Sequence, residues 1–261
     1  GKLMNYAIVT FGCQMNLHES EKIAGILRSV GYEKEVAPEE ADIIVFNTCC
    51  IRENAENHAF GNIGALKKLK RQKKGLIIAV GGCMAQEPGK AQVLKEKFPF
   101  IDIIFGTHNI FELASLIERK KSEKRVISLY EDRLETEDGA PACRTSYPNA
   151  WVNITYGCNN FCTYCIVPYV RGRERSRSAD VIVEECRALI AEGYKEITLL
   201  GQNVNSYRDG DVDFPELLDR VAAIEGKFRL RFMTSHPKDF SERLVAVMKK
   251  HDKILNLLHL P

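Results

Sequence analysis

Short β-rich runs alternate with helix-like segments along most of this 261-residue chain, and this alternation limits the folds open to it. In roughly the first 120 residues, apolar side chains recur at helical spacing between the strand-like runs. The predicted strands are Tyr6–Phe11, Ile43–Asn47, Leu76–Val80 and Ile101–Phe105, and the predicted helices are Glu19–Val30, Glu53–Lys70, Lys90–Lys97 and Phe111–Lys120. Alternating strands and helices predict an α/β fold, with an N-terminal open parallel sheet and flanking helices over residues 1–120.

The alternation lapses over residues 121–149 and then resumes. This stretch is polar, contains a Glu-Asp-Gly-Ala-Pro turn and one short strand-like run, Val126–Tyr130, and is predicted to be a connector. The strands predicted beyond it are Trp151–Tyr156, Glu196–Gln202, Arg229–Ser235 and Ile254–Leu260, and the helices are Ala179–Ala191, Phe214–Ile224 and Ser241–Lys250. The last predicted strand has no following helix to cover it, so we expect the second domain, 150–261, to be incomplete.

Composition excludes several classes of protein. The chain has 37 Lys and Arg against 35 Asp and Glu, which argues against a generally polycationic binder but leaves local basic patches possible. No apolar run approaches the ~18 residues of a membrane span, and no secretion signal is visible, so we expect a cytoplasmic protein. The nine cysteines are an odd number, which argues against a disulfide scaffold and favours metal ligands or catalysts.

Three of the cysteines are close together in sequence. Cys158, Cys162 and Cys165 follow the predicted strand Trp151–Tyr156 within one loop. Three thiolates at this spacing can bind three corners of a 4Fe–4S cluster and leave one iron open to another ligand. The alternative is a zinc site with a distant fourth ligand, but zinc usually takes paired C-x2-C motifs. The spacing therefore favours the iron–sulfur cluster.

Three other cysteines are distant in sequence but share a structural position. Each of them, Cys13, Cys49 and Cys83, comes just after a predicted strand of the first domain. Because the carboxyl ends of parallel strands form the ligand crevice of an open sheet, the three thiols can converge there. Gly12, Gly81 and Gly82 allow tight turns beside them. The alternative is three unrelated buried cysteines, since free cysteine is often buried.

The loop Gly157–Cys165 resembles the signature of the radical S-adenosylmethionine (SAM) superfamily, with Tyr164 at its aromatic position. The resemblance implies a full or partial β/α barrel with the cluster at the carboxyl ends of its strands. It also implies that the open iron binds the amino and carboxylate groups of SAM. One electron from the cluster then cleaves SAM to methionine and a 5′-deoxyadenosyl radical.

The segments around Cys13, Cys49 and Cys83, together with the later triad, resemble the methylthiotransferase family from about Asn5 to Pro261. The resemblance implies that these three cysteines hold an auxiliary 4Fe–4S cluster whose open iron carries or accepts sulfur, while Cys50 is not a ligand. One SAM would methylate that sulfur, and the radical from a second SAM would abstract hydrogen from C2 of adenosine. Family members normally end in a small RNA-binding barrel, which we expect this chain to lack.

Within the family, the chain is most similar to members that modify isopentenyladenosine at position 37 of tRNA, next to the anticodon. The sequence segments Gln14-Met15-Asn16 and Val167–Arg173 favour that substrate. Two alternatives remain for the function. The chain could act on threonylcarbamoyladenosine or on a ribosomal-protein aspartate, as related family members do, or it could be a zinc-stabilised RNA-binding module without catalysis. The resemblance also implies an electron donor such as flavodoxin or ferredoxin and a carrier of sulfur or clusters.

Further polar residues are candidates for contacts with SAM or RNA. The candidates for SAM are Tyr164, Gly201, Gln202, Asn203 and Ser235, and those for the RNA substrate are Arg171, Arg173 and Arg175. The stretch 200–207 could instead be a helix-capping turn. The basic run Lys67–Lys74 is typical of a solvated helix end, with RNA contact as the alternative. Cys143 and Cys186 are predicted not to be ligands.

Overall fold

The computed structural model describes residues 3–12, 14–49, 53–129, 147–157, 159, 173–233 and 241–255. Within these ranges, residues up to 129 belong to one compact unit and residues from 147 onward to a second. Across this described part of the chain, no helix is both long and apolar enough to cross a bilayer.

The first unit is built on a six-stranded parallel sheet, which confirms the predicted α/β class. Its strands are β1 (Met4–Thr10), β2 (Tyr32–Glu35), β3 (Ile43–Thr48), β4 (Ile77–Gly82), β5 (Ile103–Phe105) and β6 (Val126–Ser128). They lie in the order β2-β1-β3-β4-β5-β6. All six residues of β3 are buried, as expected for a central parallel strand that is covered on both faces.

Helices cover both faces of this sheet. They are α1 (Gln14–Ser29), α2 (Glu53–Gln72), α3 (Cys83–Gln86), α4 (Lys90–Lys97) and α5 (Leu113–Lys120), the last preceded by a 3-10 helix over Thr107–Glu112. Alternate residues of β3 point to opposite layers. Ile43 and Val45 pack with α1 and α5, whereas Ile44 and Phe46 pack with α2 and α4.

The structure differs from the sequence prediction at both edges of the sheet. Strand β2 was not predicted because its sequence, Tyr-Glu-Lys-Glu, buries only Tyr32 and shows no apolar alternation. At the other edge, β6 pairs with β5, so the sheet continues past residue 120, where the sequence placed the start of a connector. Helix α1 also begins at Gln14 rather than Glu19, because its first turn is too polar to show apolar periodicity.

A buried carboxylate joins two helix ends to this sheet. Asp102, just before β5, accepts hydrogen bonds from the backbone nitrogen of Ile78 at 2.8 Å and from Lys70 Nζ at 2.6 Å. Lys120 Nζ lies 3.6 Å from its other oxygen. Lys70 is near the end of α2 and Lys120 is the last residue of α5, so one side chain anchors both helices.

Replacing Asp102 by alanine should lower the free energy of unfolding by about 2–3 kcal/mol, because two cations and a backbone amide lose their partner. Denaturant unfolding of the apo chain measures this. The matched control is Glu118→Ala, which removes an exposed partner of Lys121 and should cost less than about 0.5 kcal/mol. Equal costs for the two variants would contradict the anchoring role of Asp102.

The second unit contains a three-stranded parallel sheet in the order β13-β10-β7, formed by β7 (Asn149–Asn153), β10 (Glu196–Leu200) and β13 (Arg229–Phe232). Two short antiparallel pairs accompany it: β8 (Thr155–Tyr156) with β9 (Arg175–Ser176), and β11 (Arg208–Asp209) with β12 (Val212–Asp213). Among the described residues, the α-helices of this unit are α6 (Ala179–Ala191), α7 (Phe214–Ala222) and α8 (Glu242–Lys250). Ile254 forms a parallel bridge to Leu230 where the last strand was predicted, and residues 256–261 lie outside the described ranges.

The two faces of this second sheet differ in polarity. Ala150 and Val152 of β7 join the apolar core beneath the helices, together with Ile197 and Leu199 of β10. Because side chains alternate along a strand, the opposite face carries the intervening residues. These residues are Asn149, Trp151, Asn153, Glu196, Thr198, Leu200, Arg229 and Arg231. Apart from Trp151 and Leu200 this face is polar, and a mostly polar face opposite a helix-covered apolar face is the arrangement expected of strands from a β/α barrel with a ligand-binding interior.

Candidate functional site

The strand order of the first unit creates a crevice between β1 and β3. The chain after β1 continues into α1 on one face of the sheet, whereas the chain after β3 continues into α2 on the other. Parallel α/β sheets bind ligands at such a switch point, beside the carboxyl ends of the strands. Cys13 and Cys49 follow the ends of β1 and β3, and Cys83 follows the end of β4, the next strand beyond β3, so the three residues come after strand ends at or beside this crevice.

Cys49 and Cys83 leave neighbouring strands at the same level. Thr48 of β3 and Gly82 of β4 are paired in register, and each cysteine is the next residue along its chain. Neighbouring strands lie about 4.8 Å apart, so the two cysteines start from adjacent positions. Both are buried as thiols, with exposed fractions of 2% and 0%.

The third loop passes against Cys49. Thr10 pairs with Asn47, and the backbone nitrogen of Phe11 donates to Asn47 O at 2.9 Å, which continues the pairing beyond β1. Gly12 follows with φ +124°, and a Cβ built on it would lie 2.7 Å from the Cβ of Cys49. Only glycine fits here, and it brings the chain beside Cys49 one residue before Cys13. Cys13 itself lies outside the described residues.

Close backbone approach also explains the glycines after β4. Gly82 has φ +95°, and a Cβ on it would lie 2.5 Å from the carbonyl oxygen of Thr48. A Cβ on Gly81 would enter the ring of Phe105. At this carboxyl end of the sheet, the donor set is therefore two buried thiols that follow neighbouring strands, with glycine backbone packed around them. Such a set fits a thiolate-ligated iron–sulfur cluster.

The predicted radical SAM ligands Cys158, Cys162 and Cys165 lie outside the described residues, as do Tyr164, Arg171 and Ser235. The structure describes the residues on either side of the segment that carries these cysteines. Tyr156 of β8 pairs with Arg175 of β9, and the backbone nitrogen of Glu174 donates to Asn159 Oδ1 at 3.1 Å. The described residues on the two sides of this segment are thus joined to each other.

A buried arginine fixes the strand that leads into this loop. Arg177 is 5% exposed, and its Nη1 donates to Asn153 O at 2.7 Å and lies 2.9 Å from Glu185 Oε2. Tyr207 Oη donates to Arg177 O at 2.7 Å. Of the arginines predicted to contact RNA, Arg173 is exposed and Arg175 lies over the ring of Tyr156, 5.8 Å from its centroid.

Buried polar groups without partners lie at the carboxyl ends of β7 and β10. Within the part of the chain that the structure describes, neither carboxamide atom of Asn153 has a hydrogen bond, and the Thr155 hydroxyl and Asn203 Oδ1 also lack one. All three side chains are at most 4% exposed. An unsatisfied buried polar group costs about 1–3 kcal/mol, so this arrangement is typical of a site that receives a polar ligand.

Asn203, Gly201 and Gln202 were predicted from the sequence as SAM contacts, and Gly201 and Gln202 are half-buried. Asn153 and Thr155 were not predicted. A Cβ on Gly201 would lie 2.1 Å from Thr155 Oγ1, so glycine is required where the two strand ends meet. The missed signal is the run Trp151–Thr155, in which polar side chains interrupt an otherwise apolar strand at every second position.

The other candidates named from the sequence are the basic run Lys67–Lys74 and the remaining cysteines. In the basic run Lys67–Lys74, Lys70 pairs with Asp102 and Lys73 Nζ donates to Ala41 O at 2.6 Å. Ala41 and Asp102 precede strands, so these contacts lie at the amino ends of the strands, opposite the end where Cys49 and Cys83 lie. Cys186 is buried in the core of the second unit, whereas Cys50 and Cys143 are outside the described ranges. Among the described residues, no three His, Cys, Asp or Glu side chains form a metal-binding group.

Two protein families match the chain in succession. Residues 5–106 match a family described as "Uncharacterized protein family UPF0004", and residues 152–261 match the radical SAM superfamily. The first match covers the loops after β1, β3 and β4. The second begins within β7 and includes the C-x3-C-x2-C loop.

Relatives with similar sequence carry the name tRNA-2-methylthio-N(6)-dimethylallyladenosine synthase. The protein of Clostridium tetani is 53% identical over 98% of this chain, and that of Thermoanaerobacter sp. strain X514 is 51% identical over all of it. The chain spans 57% and 56% of the length of these two relatives.

Solved structures with a similar fold include the radical SAM methyltransferase TsrM from Kitasatospora setae, with a TM-score of 0.59 and 14% identity. That match covers 93% of this chain and 56% of the other. A second structure of TsrM, with cobalamin and a 4Fe–4S cluster bound, gives a TM-score of 0.58 at 15% identity, over 94% of this chain and 57% of the other. At these identities the likeness establishes the fold.

Proposed function

We propose that the chain belongs to the radical SAM methylthiotransferase family and that it methylthiolates C2 of N6-isopentenyladenosine at position 37 of tRNA. The observation that carries the proposal is the convergence of three strand-end loops around the buried thiols of Cys49 and Cys83. This thiol site falls within the first family match, residues 5–106, whereas the C-x3-C-x2-C motif falls within the second, residues 152–261. A methylthiotransferase needs a sulfur-bearing site in addition to the site that generates the radical, and the two sets of cysteines provide for both.

Membership of the radical SAM superfamily implies a 4Fe–4S cluster and SAM, and we assign Cys158, Cys162 and Cys165 as the ligands of that cluster. We assign a second 4Fe–4S cluster to Cys13, Cys49 and Cys83. When bound, these groups would supply a 5′-deoxyadenosyl radical to remove hydrogen from C2, a sulfur atom to replace it, and a methyl group from a second SAM.

The chain's own residues would hold and orient these groups. The carboxamides of Asn153 and Asn203 and the hydroxyl of Thr155 offer buried donors and acceptors for the polar groups of SAM, and Gly201 leaves room between the strand ends. We keep Tyr164, Gln202 and Ser235 as further SAM contacts. Arg171, Arg173 and Arg175 are proposed to bind phosphates of the RNA, because guanidinium groups match phosphate geometry.

We propose that the cluster sites divide between an N-terminal domain, 1–120, extended by β6, and a radical SAM domain, 150–261. An electron donor such as flavodoxin or ferredoxin would supply the electron that SAM cleavage requires. A sulfur or cluster carrier would restore the sulfur that each product removes. The tRNA is the remaining partner in this scheme.

Asn153→Leu is the variant that tests the proposed SAM contact. Leucine has a similar volume and no polar atoms, so the apo chain should be no less stable, whereas SAM should bind about tenfold more weakly once its hydrogen bonds are lost. Equilibrium dialysis on the reconstituted protein measures the affinity. Asn149→Leu, at the exposed opposite end of the same strand, is the matched control and should bind SAM normally. Unchanged affinity in Asn153→Leu would exclude the contact.

The function itself is tested by anaerobic reconstitution with iron and sulfide, followed by incubation with SAM, a reductant and tRNA that carries isopentenyladenosine. Mass spectrometry of the digested tRNA should show the methylthio derivative of that nucleoside. Product only with threonylcarbamoyladenosine tRNA, or only with a ribosomal protein, would replace the proposed substrate. Zinc without iron in the purified and reconstituted chain would contradict catalysis and favour a zinc-stabilised RNA-binding module.

A further inference from the structure

A buried network of polar side chains lies beneath the cysteine loops of the first unit. Asn47, at the end of β3, donates from Nδ2 to Asn16 O at 2.8 Å and to Ser20 Oγ at 3.1 Å. Asn16, in the first turn of α1, donates in return from Nδ2 to Thr48 O at 3.3 Å. The two carboxamides therefore bind α1 and β3 to each other reciprocally.

The network extends to both neighbouring strands. Ser20 Oγ lies 2.6 Å from Thr10 Oγ1 at the end of β1, and the hydroxyl of Thr48 donates to Gly81 O in β4. Asn16, Asn47 and Thr48 are at most 1% exposed. One connected set of bonds thus joins the ends of β1, β3 and β4 and the start of α1, which are the elements adjacent to Cys13, Cys49 and Cys83.

The network also controls how closely two of these loops approach. A Cβ on Gly12 would lie 2.5 Å from Asn16 Oδ1 and 2.7 Å from the Cβ of Cys49. The backbone before Cys13 is therefore packed between the Asn16 carboxamide and the Cys49 side chain. A change in the position of Asn16 would alter the distance between the two loops.

Fold stability does not require polar groups at these positions. Apolar residues of similar volume can often replace a buried polar network at little cost, whereas hydrogen bonds to defined partners specify one geometry. The bonds of Asn47 are made by its Nδ2, and its Oδ1 is buried without a hydrogen-bond partner among the described residues. Three thiolates must meet the corners of a rigid cluster, so their loops need a fixed separation. A network that fixes the loops but not the fold is the arrangement such a cluster requires.

We propose that Asn16 and Asn47 are positioning residues for the auxiliary cluster, setting the separation of the loops that carry Cys13 and Cys49. The inference rests on the proposed function, because it assumes that a cluster binds to these cysteines. Neither asparagine needs to bind iron. Each acts through the backbone that it holds, so its loss should loosen and distort the cluster while the fold remains.

The test uses a parent variant, Cys158→Ala/Cys162→Ala/Cys165→Ala, in which only the auxiliary cluster can form. Asn16→Ala and Asn47→Ala are each placed in this parent, and Ser20→Ala serves as a milder change to the same network. Asn109→Ala is the matched control. Asn109 is also fully buried, and its Nδ2 also donates to two side chains, Glu112 at 3.2 Å and Ser128 at 3.3 Å, but it lies beside β5 and β6.

Three readouts are measured after reconstitution: iron per chain, the rate of iron loss to a chelator, and the electron paramagnetic resonance spectrum of the reduced cluster. Asn16→Ala and Asn47→Ala should lose iron at least tenfold faster than the parent and show a shifted spectrum, in line with the effect of residues that support metal ligands. Ser20→Ala should give a smaller change of the same kind. Asn109→Ala should match the parent in rate and spectrum even where its thermal transition is lower.

Parent-like iron retention and spectra in Asn16→Ala and Asn47→Ala would overturn the inference. Equal iron loss in Asn109→Ala would also overturn it, because the effect would then follow general destabilisation. If the asparagine variants fail to fold, Ser20→Ala decides the outcome by the same readouts. A parent that binds no iron would instead contradict the proposed auxiliary cluster, which is a separate and recognisable result.

Discussion

Replacing Cys49 by serine should abolish formation of the methylthio product while SAM cleavage continues. Cys49 is 2% exposed and leaves β3 in register with the residue before Cys83, so its thiolate has a defined place in the donor set. A serine hydroxyl is a harder and much weaker ligand for iron–sulfur clusters than a thiolate. The sulfur-bearing site would be lost, and the predicted ligands of the radical-generating cluster would remain.

Reconstituted Cys49→Ser protein should therefore release 5′-deoxyadenosine from SAM without methylthiolated nucleoside. Both products are quantified from the same reaction by mass spectrometry. Cys186→Ala is the matched control, because Cys186 is an equally buried cysteine in the apolar core of the second unit. It should form both products. Normal methylthio formation by Cys49→Ser would remove Cys49 from the ligand set.

Replacing Gly82 by alanine should have the largest effect on stability. Gly82 has φ +95°, and the new Cβ would meet the backbone oxygen and nitrogen of Thr48 at 2.5 and 2.8 Å. Backbone atoms in a buried strand cannot move aside, so strain in the dihedral angle and overpacking add together. We expect the free energy of unfolding to fall by about 3–5 kcal/mol.

Gly31→Ala separates the two contributions. Gly31 has a similar φ, +99°, but no described residue lies within 4 Å of the position that the new methyl group would take. Its replacement should cost only the conformational strain, about 1–2 kcal/mol. Denaturant unfolding of the two apo variants measures the difference. If both variants lose the same free energy of unfolding, the close contact between Gly82 and the backbone of Thr48 would be contradicted.

The positions of the auxiliary cysteines could be predicted because buried parallel strands are continuous apolar runs. Ile43–Asn47 and Leu76–Val80 are such runs, and the observed strands start within one residue of the predicted starts and end one or two residues later. These apolar runs were sufficient to predict that Cys49 and Cys83 each follow a strand. That the strands are neighbours, with Thr48 opposite Gly82, depends on the topology of the sheet and needed the structure.

The remaining features were not predicted because they depend on pairing and contacts between segments that are distant in the sequence. Asn153 reads as a polar interruption in a strand, and only the alternation against the helix-covered core shows that it points to the opposite face. Strand β2 has almost no apolar residues, so only pairing with β1 reveals it. Asn16 and Asn47 are 31 residues apart, and nothing local in the sequence connects them.

Two iron–sulfur clusters on separate cysteine triads, as we propose for this chain, would be seen in its iron content. The reconstituted chain should bind about eight iron atoms, and about four should remain after replacement of either Cys13, Cys49 and Cys83 or Cys158, Cys162 and Cys165 by alanine. About four iron atoms in the unmodified chain, with no change when the first triad is replaced, would contradict the account.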